Sequence, residues 1–239
     1  RHGLRAGTED VTMTDHWTVT VSARDLYQAL TAVAPHMGLE YEKLDRVLLD
    51  CRPDPRGQRG ERVLLVTATS RYTIAHAIVP VLAYDGPATS GYARGLLAPA
   101  EVKERTAHAR EVMRTRIGDR TITLLYPRLE RVNFPPVYRI SAEHVPGRVG
   151  PRDATDARTP TLLQGRLLAL FAKAAAAYSA PLVIWPHEQP RTGPVTITCA
   201  DRFLGLLMPW RGGPNDNNLD GPRPVWDELL DAAGGGRDR

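Results

Sequence analysis

The chain of 239 residues reads as an α+β protein in which helices are backed by antiparallel strands. Three observations predict this. A period-two strand running straight into a period-3.6 helix occurs near residue 17 and again near residue 92. Each pair is followed by several runs rich in Val, Leu, Ile and Thr, as strands are. A third helix pattern between residues 160 and 178 precedes three more such runs.

The elements follow in order. Residues 1–14 lack periodicity and are expected to form a flexible arm. In "HWTVTVSARDLYQALTAVAPHM", Trp17, Val19 and Val21 alternate with polar residues, Ser22 and Asp25 give a capping-box-like start, and Leu26, Leu30 and Val33 share one helix face before Pro35 ends the run. "DRVLLDCRP" and "ERVLLVTATSRYTIAHAIVPV" read as strands separated by the turn-forming "PDPRGQRG". "YARGLLAPAEVKERTAHAREVM" repeats strand then helix, with Pro99 at the helix start and Glu101 and Glu104 near its positive end. "VMRTRI", Gly118-Asp119 and "RTITLLY" predict a hairpin, and the prolines of "LERVNFPPVYRI" predict an extended edge. Residues 141–159 are polar and rich in Gly, Pro and Asp, the composition of a linker. Beyond them Thr159 or Thr161 is the expected cap of a helix whose stripe is Leu163, Leu167, Leu170, Phe171 and Ala174. "PLVIWP", "GPVTITC" and "RFLGLLMPW" are expected to close the pattern as strands, and residues 212–239 are expected to form a flexible tail, either disordered or with Val225, Trp226, Leu229 and Leu230 on one face of a short helix.

Bulk properties exclude several classes. Lys plus Arg number 31 against 27 Asp plus Glu, a net charge of +4, and the pI is about 9.3. This balance permits contact with an anionic polymer without requiring it. No apolar run approaches the roughly 18 residues of a membrane span, and no basic-then-apolar leader opens the sequence, so a cytoplasmic protein without membrane contact is expected. The two cysteines, Cys51 and Cys199, lie in strand-like runs without metal or redox spacing and are expected to be buried free thiols. The seven histidines are scattered. No nucleophile elbow, metal-ligand spacing or glycine-rich phosphate loop occurs, so neither an enzyme, a metal site nor a cofactor is expected. Helical spacing does place Lys103, Arg110 and Arg114 in one row and Arg166 and Lys173 in another, arrangements able to track phosphates or simply to solvate a helix.

Three short stretches, together with the order of elements, resemble the bacterial DNA sliding clamp family, the beta subunit of the replicative polymerase. "LLVTATSRYTIAHAIVPV" is similar to a clamp hairpin through Ala68, Thr69, Tyr72, Thr73 and Ile74, with Ser70 and Arg71 in place of Asp-Gly. "NFPPVYRI" resembles the clamp's Phe-Pro-Asp-Tyr segment through Phe134, Pro135 and Tyr138. "LLMPWR" resembles its terminal Met-Pro-x-Arg strand through Met208, Pro209 and Arg211.

The resemblance implies a DNA-clamp-like repeat over residues 15–140 and a shortened second one over residues 141–211, which is too short for a whole repeat. It further implies a hydrophobic pocket for short motifs of the Gln-x-x-Leu-x-Phe type carried by polymerases and repair proteins. The residues that match are Thr69, Arg71, Tyr72, Thr73, Ile74, Pro135, Ile140, Leu206 and Met208, with Lys103, Arg110, Arg114, Arg166 and Lys173 toward DNA contacted without sequence preference. A homo-oligomer is expected. A peptide-binding adaptor or decoy that has lost the ring is the alternative, and an unrelated α+β protein, structural or enzymatic, that merely shares short strands is a third.

Overall fold

The computed structural model describes residues 16–40, 44–54, 60–86, 93–115, 120–127, 163–185 and 193–209. Expectations for the arm, the linker, the tail, Pro135 and Ile140 therefore lie outside the described residues. The elements are β1 (His16–Ser22), α1 (Ala23–Val33), a 3-10 turn (Ala34–His36), β2 (Val47–Pro53), β3 (Arg62–Thr69), β4 (Thr73–Asp85), β5 (Ala93–Leu97), α2 (Pro99–Arg114), β6 (Thr121–Pro127), α3 (Gly165–Tyr178), β7 (Leu182–Trp185), β8 (Val195–Cys199) and β9 (Phe203–Leu207). All belong to one compact unit that ends at Pro209.

The strands form one antiparallel sheet in the order β5-β2-β3-β4-β9-β8-β7, with β1 and β6 branching from β4. The branch is built on the 13 residues of β4. One edge of that strand pairs with β3 along most of its length, whereas the other pairs with β9 over Thr73–Ala77 and with β1 over Val81–Asp85. Pro80 falls at the changeover. Ile78 N–H donates to Arg202 O at 2.8 Å, so alternation turns the Pro80 nitrogen toward the same edge, into the gap where no ladder bond is due. Strands β7 to β9, from the segment after the linker, are thus joined directly to the sheet formed by the earlier strands.

Helix α1 begins as its sequence predicts, Asp25 N–H donating to Ser22 Oγ at 3.4 Å, and buries Leu26, Ala29, Leu30 and Val33. It lies between α2 and α3 and packs on β3 and β4. Helix α3 buries Phe171 and Ala174. Phe171 rests on Gly205, where a Cβ would run into the ring edge, so close packing of α3 requires glycine there. Cys51 and Cys199 are buried free thiols, as the sequence indicates.

Two local expectations are corrected. Val112, Met113 and Arg114 belong to α2 and not to a hairpin strand, while β6 pairs with β1. The reason is periodicity: Val102, Thr106, Ala109 and Met113 keep helical spacing, and Val112 and Met113 pack against the core. Helix α3 is preceded by Gln164 at its cap, without a side-chain capping bond, and not by Thr159 or Thr161.

Candidate functional site

The β3–β4 turn is built by hydroxyl chemistry. Ser70 Oγ accepts N–H bonds from Thr73 at 3.1 Å and Tyr72 at 3.3 Å, the task an Asp side chain performs in an Asx turn. Ser70 N–H donates to Thr73 O at 2.8 Å, and the Thr69 hydroxyl donates to Thr73 O at 2.9 Å. Gly38 N–H donates to Thr69 O at 3.1 Å. A Cβ at Gly38 would come within 3.3 Å of Ser70 Cα, so the chain after α1 lies tight under the turn. Arg71 and Tyr72 are left outward, Tyr72 with 47% of its surface exposed.

Strand β9 meets this turn edge-on. Ile74 pairs with Leu206, and Met208 N–H donates to Tyr72 O at 2.9 Å, extending the ladder one step beyond the strand. Directly paired residues share a sheet face. One row across the face turned away from the helices therefore reads Thr69, Ile74, Leu206, Thr196, Trp185. Thr69, Ile74, Leu206 and Thr196 are buried, Met208 is half-buried, and Trp185 is 41% exposed at the sheet edge. The indole N–H of Trp185 donates to Thr198 Oγ1 at 3.2 Å, which fixes the ring across β8. Alternation sends Thr73 to the other face, where its hydroxyl lies 3.1 Å from His36 Nδ1. Of the residues matched by resemblance, the structure thus joins Thr69, Arg71, Tyr72, Ile74, Leu206 and Met208 around one turn, with Thr73 beneath it.

The second row on that outer face contains His76, whose Nδ1 lies 2.6 Å from Thr67 Oγ1. Burial pushes the His76 imidazole down to about 3, with a smaller contribution from nearby Arg52. Burial alone does the same to His36. Both rings are neutral at pH 7.

The helix face carries rows of exposed cations, interspersed on α2 with the exposed Glu101, Glu104 and Glu111. Lys103, Arg110 and Arg114 are exposed along α2, and Arg166 and Lys173 along α3. Between them runs α1, whose Arg24 is also exposed. Arg110 donates to the Tyr27 hydroxyl at 3.1 Å, a bond that, ahead of other effects, holds that phenol below its ordinary range and ties the α2 row to α1. A cleft of about 330 Å³ opens between Arg24, Asp25 and Gln28 of α1, Tyr178 of α3 and the β8–β9 turn, Ala200–Arg202. Arg202 and Asp25 form an ion pair there at 2.6 Å. The cleft is therefore on the helix side of the sheet, away from the Tyr72 turn. Among the described residues no cluster of His, Cys, Asp or Glu could hold a metal, and no helix is long and apolar enough to cross a membrane.

Sequence reasoning missed His36, Trp185, Arg24 and Arg202. A histidine at the end of an apolar helix stripe and a tryptophan closing a short strand were the available signals. Neither says what the residue meets, because their partners lie more than ten residues away.

A basic three-helix layer on an antiparallel sheet, with a hairpin turn stitched to a late strand, is a clamp-like α+β fold. The chain is similar to the DNA polymerase III beta subunit from Thermotoga maritima, with a TM-score of 0.53 and 9% identity over 84% of this chain and 66% of that one. It is also similar to the DNA polymerase sliding clamp from Pseudomonas aeruginosa, with a TM-score of 0.54 and 11% identity over 87% of this chain and 70% of that one. A structure of the Pseudomonas clamp with ligand gives a TM-score of 0.50 and 12% identity. The chain spans just under two thirds of the Thermotoga subunit's length. No protein-family model and no curated protein matches the sequence. At these identities the likeness is one of fold.

Proposed function

We propose that this chain is a clamp-type tethering factor, a binding protein and not an enzyme, that holds short linear motifs of polymerases or repair proteins near DNA. The observation that carries the reading is the junction of the Thr69–Thr73 turn with Leu206 and Met208 on a clamp-like fold. Tyr72 and Met208 offer an exposed ring and a flexible, polarisable wall suited to varied apolar side chains. Thr69, Ile74 and Leu206 form the floor beside them, Arg71 stands at the rim, and Pro135 and Ile140 are assigned to the same site from the sequence resemblance. Thr73 serves the site from below.

The helix face supplies the second half of the proposal. Lys103, Arg110 and Arg114 on one flank and Arg166 and Lys173 on the other meet phosphates without reading bases. The ring reading requires association of several copies of this chain around DNA.

The test is anisotropy of a labelled Gln-x-x-Leu-x-Phe type peptide titrated with the protein and with Tyr72→Ala and Met208→Ala. Saturable binding weakened by both substitutions is the expected result; absence of binding by the folded wild-type chain overturns the docking site. A second reading is a non-ring adaptor or decoy, favoured by α3 being the one helix among the described residues after residue 141. That reading predicts the same peptide binding by a monomer or dimer that does not stay on closed circular DNA.

A further inference from the structure

The Tyr72 turn is held from the apolar side of the sheet. His36 is fully buried and sits against Phe171, with ring centroids 4.5 Å apart, and within 6.3 Å of the Phe203 ring. Its Nδ1 is 3.1 Å from Thr73 Oγ1, and among the described residues its Nε2 has no hydrogen-bond partner. Thr73 Oγ1 lies 3.1 Å from Ser70 Oγ. Ser70 Oγ in turn accepts the amide protons of Tyr72 and Thr73. With both of its lone pairs occupied by amides, Ser70 has its own proton to place, and Thr73 Oγ1 is the acceptor beside it. Thr73, accepting from Ser70, then donates onward. Among the described residues the remaining acceptor within reach is His36 Nδ1, which is a lone pair in the neutral ring protonated at Nε2.

We propose that His36 is a positioning residue of the docking turn: its Nδ1 accepts the Thr73 hydroxyl proton and so orients the chain Thr73, Ser70, Tyr72 that presents the exposed ring to a peptide. This rests on the docking reading given above. The His36 ring itself stands edge-on to Phe171 and tilted against Phe203, packed among aromatics. Burial keeps the ring neutral down to about pH 3, so the acceptor is present throughout the physiological range. The same aromatic shell rests on Gly205 of β9, so one packed unit underlies both halves of the site.

The test uses the full chain, labelled with nitrogen-15. At pH 7 the His36 ring is expected as the tautomer protonated at Nε2, with Nδ1 unprotonated. Thr73→Val, which removes the hydroxyl at nearly constant shape, is expected to speed amide exchange at Tyr72 and Thr73 and to weaken labelled-peptide binding about three- to tenfold. With Thr73 intact, His36→Asn, which places a carbonyl oxygen near the former Nδ1, is expected to keep most of the wild-type affinity, and His36→Phe is expected to lose it as Thr73→Val does. A ring protonated at Nδ1 overturns the proposal, as do wild-type exchange and affinity in Thr73→Val. If the wild-type chain takes no peptide while the tautomer and exchange results are as expected, the docking reading falls and the hold of His36 on the turn stands.

Discussion

Gly205 shows how a single missing methyl decides a packing arrangement. The Phe171 ring occupies the space a Cβ would need, and Phe171 is the aromatic centre of α3. Gly205→Ala must either push the ring aside or lift the helix, and overpacking of this kind costs roughly 1–3 kcal/mol. A lowered urea midpoint with unchanged denaturant slope is the expected outcome, and a wild-type midpoint contradicts the contact.

The two buried histidines set an acid limit. Each ring is held near 3 in the folded chain, below the ordinary 6.5, mainly because burial disfavours the cation. The unfolded chain therefore binds protons that the folded chain refuses once the pH falls below about 6.5. Stability from these groups is complete above that pH and is lost progressively toward pH 3, by up to about 1.4 kcal/mol per unit for each ring. Urea midpoints measured between pH 7 and pH 5 are expected to fall, and a flat profile contradicts two neutral buried rings.

Among the elements, α2 carries the sharpest disagreement with local sequence. "VMRTRI" before a Gly-Asp pair has the signature of a hairpin strand, but Val112 and Met113 also complete the buried stripe begun by Val102 and Ala109. Tertiary burial settled the choice. Val112→Pro is accordingly expected to cost about 3 kcal/mol or more by thermal or chemical denaturation, as proline does inside a helix; a near-neutral effect contradicts the helical assignment. The remaining elements were legible wherever period and punctuation agreed, as in Ser22 capping α1 or Pro99 opening α2. Pairing was not legible. That β6 returns to β1, and that β9 lies against the first half of β4, depends on partners more than 80 residues apart, for which a period-two pattern carries no address.

At the scale of the molecule, the basic helix layer is the surface through which the proposal meets DNA. Sequence spacing found the rows on α2 and α3 but not that α1 lies between them, which adds Arg24 to the same face. Lys103→Ala and Lys173→Ala are each expected to weaken retention on duplex DNA uniformly across sequences and to reduce the slope of log affinity against log salt by about 0.9. Arg46→Ala, on the segment leading into β2, is the matched control. Equal losses in all three variants contradict the assignment of the face. The alignment of the exposed Tyr72 with Met208 was legible from the family-like stretches alone, whereas its support by His36 was not, since one buried imidazole in a helix-end segment leaves no pattern.

The long strand with two partners on one edge also has a consequence in time. Thr73–Ala77 receives its β9 neighbour only after roughly 130 further residues have been made. At about 5–20 residues per second that interval on the ribosome is on the order of ten seconds. Through it, the edge that later forms the floor of the candidate site is an open hydrogen-bonding row flanked by apolar side chains, the kind of edge that recruits foreign strands. Among the described strands, the β9 edge of β4 is thus paired late in synthesis.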